Sequence, residues 1–197
     1  ASDGGFGDSF GHAVALDGER IAVGAYLDDD GGSNAGAVYL FEHQGSGVWV
    51  EAQKLTGSAS QDQFGSAVAI SLDVLAVGAP FADGAAAGSG AAYAFRRDAA
   101  GIWQSEGLLS AAAAVGGDQQ GGAVAVLADT IFVGAPYDDA VASDAGAVHV
   151  FEHAAGSWTE ATSLTAASAQ SSDHVGVSLA ALDGLLLAGA DGDDGSA

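Results

Sequence analysis

The sequence predicts an all-β chain of β-propeller-type blades, each made of four antiparallel strands, with about three and a half repeats in 197 residues. Three observations predict this. A unit of about 55 residues recurs in register. Each unit divides into short apolar runs separated by turn residues, and no stretch carries helical periodicity over a useful length.

The repeat is defined by its glycines. Phe10-Gly11 recurs as Phe64-Gly65 and, without the phenylalanine, as Gln120-Gly121 and Val175-Gly176. The steps between Gly11, Gly65, Gly121 and Gly176 are 54, 56 and 55 residues. A second glycine follows each of these at a constant distance of 13 residues, at Gly24, Gly78, Gly134 and Gly189. These open the tripeptides Gly-Ala-Tyr, Gly-Ala-Pro, Gly-Ala-Pro and Gly-Ala-Asp. A third marker, Gly-Ala-Val-Tyr-Leu-Phe at 36–41, returns at 90–95 and 146–151, and each copy leads to a tryptophan: Trp49, Trp103 or Trp158. The units run approximately over 8–61, 62–117, 118–172 and 173–197, the last incomplete.

Within a unit the elements follow in order. The first strand (12–16, 67–70, 123–126, 177–180) is a continuous apolar run, as expected for a strand buried on both faces. A turn carrying Asp17-Gly18, Ser71, Asp129 or Asp183-Gly184 leads into the second strand, such as 21–25 or 75–79. The third covers 37–41 and its copies, and the fourth runs through the tryptophan into Lys54-Leu55, Leu108-Leu109 or Ser163-Leu164. The alanine run 111–114 is too short for a helix and ends at Gly116-Gly117. Repeated four-stranded units without helices favour radially stacked blades over a linear β-solenoid, whose repeats are shorter. Three units and a half fall short of a ring, so a segment of a longer repeat protein is expected, with an open stack completed by neighbouring chains as the alternative.

Composition narrows the function. The chain carries 26 acidic residues against 4 basic ones, a net charge of −22. Such a surface repels phosphate backbones and anionic lipid, which argues against nucleic-acid partners. It suits cations, cationic partners or a salty medium. No apolar run reaches the roughly 18 residues needed to span a bilayer, so membrane insertion is not expected. The chain has no cysteine, which removes disulfides and thiolate metal sites.

Gly-Asp-Ser-Phe-Gly at 7–11 fits the serine-hydrolase elbow pattern. Its place in the repeat argues otherwise. Ser9 aligns with Gln63, Gln119 and His174, a variable position beside a repeated turn, and a strand follows where an elbow needs a helix. The five histidines form no catalytic or metal-binding pattern. A non-catalytic protein is expected.

Two aspartate positions recur in every unit: Asp8, Asp62, Asp118 and Asp173 before the turn glycine, and Asp29, Asp83, Asp139 and Asp194 after the second marker. Around the latter, acids gather as Asp28, Asp29 and Asp30, as Asp138 and Asp139, and as Asp193 and Asp194. Turn aspartates of this kind brace loops by accepting backbone N–H groups. Carboxylates on a glycine-rich loop are also hard oxygen donors suited to Ca²⁺, so Asp28, Asp29, Asp30, Asp83, Asp138, Asp139, Asp193 and Asp194 are the candidate metal ligands, with Asp62 as a contributor from the next blade. Trp49, Trp103 and Trp158 read as outer-strand packing residues, with a glycan-binding stripe as the alternative.

Phe-Gly followed at fixed distance by Gly-Ala-Pro, then Gly-Ala-Val-Tyr-Leu-Phe and a tryptophan, resembles the FG-GAP repeat of integrin α-subunits and of bacterial and algal surface proteins. The resemblance covers nearly the whole chain. It departs where the third and fourth units lack the Phe of Phe-Gly, and where Tyr26 and Asp191 replace the proline of Gly-Ala-Pro. The resemblance implies a propeller of extracellular or cell-surface location that binds a protein or glycan partner through the loops of one face. A filament or surface-layer subunit binding copies of itself, and an accessory domain of a larger secreted enzyme, are the alternatives. In the integrin-like members Ca²⁺ sits in a D-x-D-x-D-G loop between the first and second strands. Here that connection is only a few residues long, as in Leu16-Asp17-Gly18-Glu19, and that site does not carry over.

Overall fold

The computed structural model describes residues 1–193, so Asp194 lies outside the described residues. Fourteen strands occur in order: β1 Ala13–Asp17, β2 Arg20–Ala25, β3 Ala37–His43, β4 Trp49–Thr56, β5 Ala67–Ser71, β6 Val74–Ala79, β7 Ala91–Arg97, β8 Trp103–Leu109, β9 Ala123–Leu127, β10 Thr130–Ala135, β11 Ala147–Ala154, β12 Ser157–Leu164, β13 Ser178–Leu182 and β14 Leu185–Gly189. They form three four-stranded antiparallel meanders, β1–β4 (sheet 1), β5–β8 (sheet 2) and β9–β12 (sheet 3), and the hairpin β13–β14 (sheet 4). The all-β, four-strand pattern of propeller-type blades expected from the repeat is what the chain forms.

The constant 13-residue spacing has a direct cause. Gly11 N–H donates to the Gly24 carbonyl at 3.0 Å, and the pairs Gly65–Gly78, Gly121–Gly134 and Gly176–Gly189 repeat the bond at 2.9 Å. This bond closes the hairpin of the first two strands. An insertion inside it would shift the register by which every apolar side chain finds its face. Each third strand then meets its tryptophan strand with a register shift at the same point, between Leu40 and Phe41, Ala94 and Phe95, and Val150 and Phe151.

Successive sheets stack through their first strands, β1 against β5, β5 against β9, and β9 against β13. Each sheet thus has a front, turned toward the next sheet, and a back, turned toward the preceding one. At the first seam the front residues Ala22, Val38 and Leu40 meet the back residues Ile70, Leu75, Val77 and Phe95. At the second, Val74, Ala76, Ala92 and Ala94 meet Val124, Val126, Ile131, Val133 and Phe151. At the second seam a front made mostly of alanine receives the larger side chains of the back; each fully buried Val, Leu or Ile contributes about 1.5–3 kcal/mol.

Glycine sets how close the layers come. A Cβ on Gly24 would lie 2.0 Å from the carbonyl oxygen of Gly65 in the next sheet, and the same holds for Gly78 against Gly121 at 1.9 Å and Gly134 against Gly176 at 2.1 Å. Gly65 itself sits at φ +92°, a region that L side chains rarely adopt. The two repeated glycines are therefore one device: the first closes its own hairpin, and its carbonyl rests on the second glycine of the preceding sheet.

The expected burial of the first strands on both faces is reached in β9 and only in part in β5, whose residues are half-buried apart from Ile70. In β9 four of five residues are buried, whereas β1 and β13 alternate between exposed and half-buried residues. The difference is positional: β5 and β9 have a sheet on either side, while β1 and β13 have one neighbour each.

Candidate functional site

The loops joining second to third strands (26–36, 80–90 and 136–146) leave the sheets at one end, the same end as the Phe-Gly turns. Their aspartates brace them. Asp29 Oδ1 accepts the N–H of Asn34 at 2.7 Å, Asp83 Oδ1 that of Gly88 at 2.8 Å, and Asp139 Oδ1 that of Asp144 at 2.7 Å. The earlier set does the same in the opposite chain direction: Asp8, Asp118 and Asp173 accept N–H groups from Gly5, Val115 and Gln170. Ser9 is one more turn residue, at φ +58°, matching Gln63, Gln119 and His174 at 56°, 53° and 55°. Its hydroxyl lies 3.4 Å from the Gly7 carbonyl, and β1 follows it.

Within the first loop the charges converge on a side chain that pattern reading passed over. Lys54 Nζ lies 2.9 Å from Asp3 Oδ2 and 3.0 Å from the buried Asp28 Oδ2, and also pairs with Asp30. It sits 4.9 Å above the Tyr39 ring. The Tyr39 hydroxyl lies 2.8 Å from both Asp3 Oδ1 and Asp28 Oδ2. Burial alone would lower the lysine's pKa, but its partners Asp30, Tyr39, Asp3 and Asp28 outweigh it and hold it above the usual range. The ammonium thus neutralises the carboxylates of Asp3, Asp28 and Asp30 together.

The third sheet solves the same position differently. His149 replaces Tyr39 and Tyr93 of the first two units and is buried. Its Nδ1 is 3.0 Å from Glu160 Oε1, a hydrogen bond, and its Nε2 is 3.4 Å from Asp138 Oδ2, an ion-pair contact. Burial alone would depress its pKa, yet the two carboxylates raise it above the ordinary histidine value, and His149 in turn holds Asp138 below the usual carboxylate range. Asp62 is pushed up by burial and by the charge of Asp83, a loop aspartate of its own sheet rather than of the preceding one. Asp193 stands at the end of the described residues. Among the described residues, no group of three or more His, Asp or Glu side chains is arranged to hold a metal ion.

The remaining basic residues also look inward, joining sheet to sheet. Arg20 Nη1 reaches Asp73 Oδ1 and Arg96 Nη2 reaches Asp129 Oδ1, both at 2.9 Å, and Arg97 pairs with Glu42 at 2.6 Å. Each of the chain's four cations is thus neutralised within the fold, and the outer surface is left anionic. Two tryptophans are seam residues. Trp103 is buried, with its backbone N–H and carbonyl held by Gln53, while Trp158 packs against the second seam and donates Nε1–H to Glu106 at 2.7 Å. Trp49, on the back of sheet 1, is exposed against His43. On the loops, Phe81 and Tyr137 present exposed rings among the carboxylates.

Comparison with known families agrees with the geometry. Residues 1–41, 49–95 and 103–151 match the FG-GAP repeat, and no curated protein matches the chain. The second and third matched stretches run from the tryptophan strand of one sheet to the third strand of the next, β4 to β7 and β8 to β11. Each straddles a seam and contains the turn glycine that seats on the preceding sheet. On this match, spread over three successive repeats, the chain belongs to the FG-GAP repeat family.

Proposed function

We propose that this chain is a non-catalytic adhesion or scaffold module that works outside the cell and binds a protein or glycan partner through its braced loop face. Repeats of this family build propeller-type modules of extracellular, adhesive proteins in general, and among the described residues no helix is long and apolar enough to cross a membrane. The single observation that carries the reading is the loop end of the stack. Each fully described loop is fixed by its own aspartate, leaving Phe81, Tyr137 and the neighbouring carboxylates outward on a rigid support. Exposed aromatic rings among carboxylates suit a partner with apolar sugar faces or with basic side chains.

The test is binding of the purified chain to a glycan array and to a panel of extracellular matrix proteins, with Phe81→Ser/Tyr137→Ser as the comparison. Binding that falls at least tenfold in the double variant, with an unchanged melting temperature, supports the reading. Binding indifferent to those residues, or none on either panel, overturns it.

A further inference from the structure

One cavity stands apart from the acidic surface around it. It has a volume of about 380 Å³, lies at the end of the sheets opposite the loop face, and is lined by Glu19, Arg20, Glu42, His43 and Arg97. Its main walls belong to the seam between sheets 1 and 2. Arg20 and Glu42 face each other across β2 and β3, and both reach into sheet 2, Arg20 to Asp73 and Glu42 to Arg97. Arg97 is the last residue of β7, on the back of sheet 2. Glu19, in the turn before β2, stands at the mouth; its side chain is 80% exposed, with Oε1 3.8 Å from His43 Nδ1.

The balance of sign is what distinguishes the cavity. The chain has 26 acidic residues and 4 basic ones, yet two of the four basic residues line this space together with two carboxylates. Of the five N–H donors of a guanidinium, Arg20 and Arg97 each direct one at a carboxylate within hydrogen-bond distance, Nη1 to Asp73 and Nη2 to Glu42. The Arg97 Nε–H is buried with no hydrogen-bond partner. A simple anion in the cavity would meet Glu19 and Glu42, and a simple cation would meet the two arginines. A molecule carrying both charges finds a partner for each. Residues directly opposed on antiparallel strands have Cβ atoms about 4.5–5.5 Å apart, so Arg20 and Glu42 suit ligand charges separated by one or two carbons, as in an α-amino acid.

The repeat does not demand this arrangement. At the second seam Val74 stands in the place of Arg20 and Arg96 in that of Glu42. The cavity there has a volume of about 160 Å³, and Arg96 is the basic residue of its lining.

We propose that the cavity at the first seam binds a small zwitterion of the α-amino acid class, its carboxylate on Arg20 and Arg97 and its ammonium on Glu19 and Glu42. Charge-assisted hydrogen bonds at both ends of the ligand give the recognition. The ligand has no net charge, so the acidic field of the molecule does not exclude it. The proposal stands independently of the loop-face reading, which concerns the other end of the sheets.

The experiment is an NMR titration of the isotope-labelled, unaltered chain with glycine at constant ionic strength. The backbone amides of Glu19, Arg20, Glu42 and Arg97 should shift in a saturable way with a Kd on the order of 1 mM, while those of Phe81 and Tyr137 stay in place. Glycolate, which lacks the ammonium, and methylamine, which lacks the carboxylate, should each bind at least tenfold more weakly. Glu19→Gln and Arg20→Gln should each weaken glycine binding at least tenfold. Both variants should keep the fold, because the Glu19 side chain is exposed and sheet 2 carries Val74 in the place of Arg20; unchanged amide shifts away from the cavity check this. The absence of a saturable shift at the cavity amides up to about 50 mM glycine overturns the proposal. So does equal affinity for glycolate or methylamine, or undiminished glycine binding by Glu19→Gln.

Discussion

At Gly24 a single hydrogen atom in place of a side chain decides how closely two layers approach. A methyl there would meet the Gly65 carbonyl at 2.0 Å, and backbone on both sides leaves no side chain to swing away. Gly24→Ala should therefore cost about 3 kcal/mol, at the upper end of what overpacking does, and should lower the urea midpoint without changing the strand content. Ser9→Ala, at an exposed turn, should move it by less than about 0.5 kcal/mol. A Gly24→Ala midpoint equal to that of the unaltered chain would mean that the layers have slack. The spacing of 13 made this glycine pair visible in the sequence, because a closed hydrogen-bonded hairpin tolerates no change of length. The Lys54 cluster was not visible in the same way. Asp3, Asp28, Asp30 and Tyr39 come together around Lys54 from three separate segments, and Leu108 and Ser163 stand at its position in the other units, so no periodicity marks it.

Strand β11 carries an element-scale consequence of the same variation. His149 sits in the strand between Asp138 on the loop after β10 and Glu160 on β12, with Asp118 adding a further negative charge from the turn before β9. Its folded pKa is raised above the unfolded value of about 6.5. The imidazolium form is then favoured by folding, so its contribution is fully present below about pH 6.5 and is lost as pH rises through the folded value. The unaltered chain should melt at higher temperature at about pH 6 than at about pH 9. His149→Tyr, which restores the residue of the first two sheets, should flatten that difference. An equal slope in the variant would assign the pH response to other groups. Strand positions were legible at this scale because apolar runs and turn residues alternate locally. The burial of β1 was not, since its run of Ala13 to Leu16 is as apolar as that of β9 and only the presence of a neighbouring sheet separates them. The roles of the recurrent aspartates were readable as loop braces from their fixed place beside glycine turns.

For the whole molecule the question is which of two opposed electrostatic effects prevails. Salt screens the four internal cations from their carboxylates, and partly exposed pairs of this kind are worth about 0–1 kcal/mol each. Salt also screens the mutual repulsion of 26 acidic residues, which far outnumber the four basic ones. At low ionic strength, with a screening length of about 30 Å at 0.01 M, that repulsion acts across the full stack; at about 0.1 M the length shrinks to ~10 Å and it becomes local. The pairs span less than 4 Å and lose little over this range. Repulsion therefore prevails, and the thermal midpoint should climb steadily as sodium chloride is raised from about 0.01 M to about 0.5 M. Thermal scans monitored by circular dichroism at fixed pH and at a chain concentration low enough to keep the protein monomeric check this. A midpoint that fell with salt would show that Arg20, Arg96, Arg97 and Lys54, few as they are, hold the sheets together more strongly than the acidic surface drives them apart.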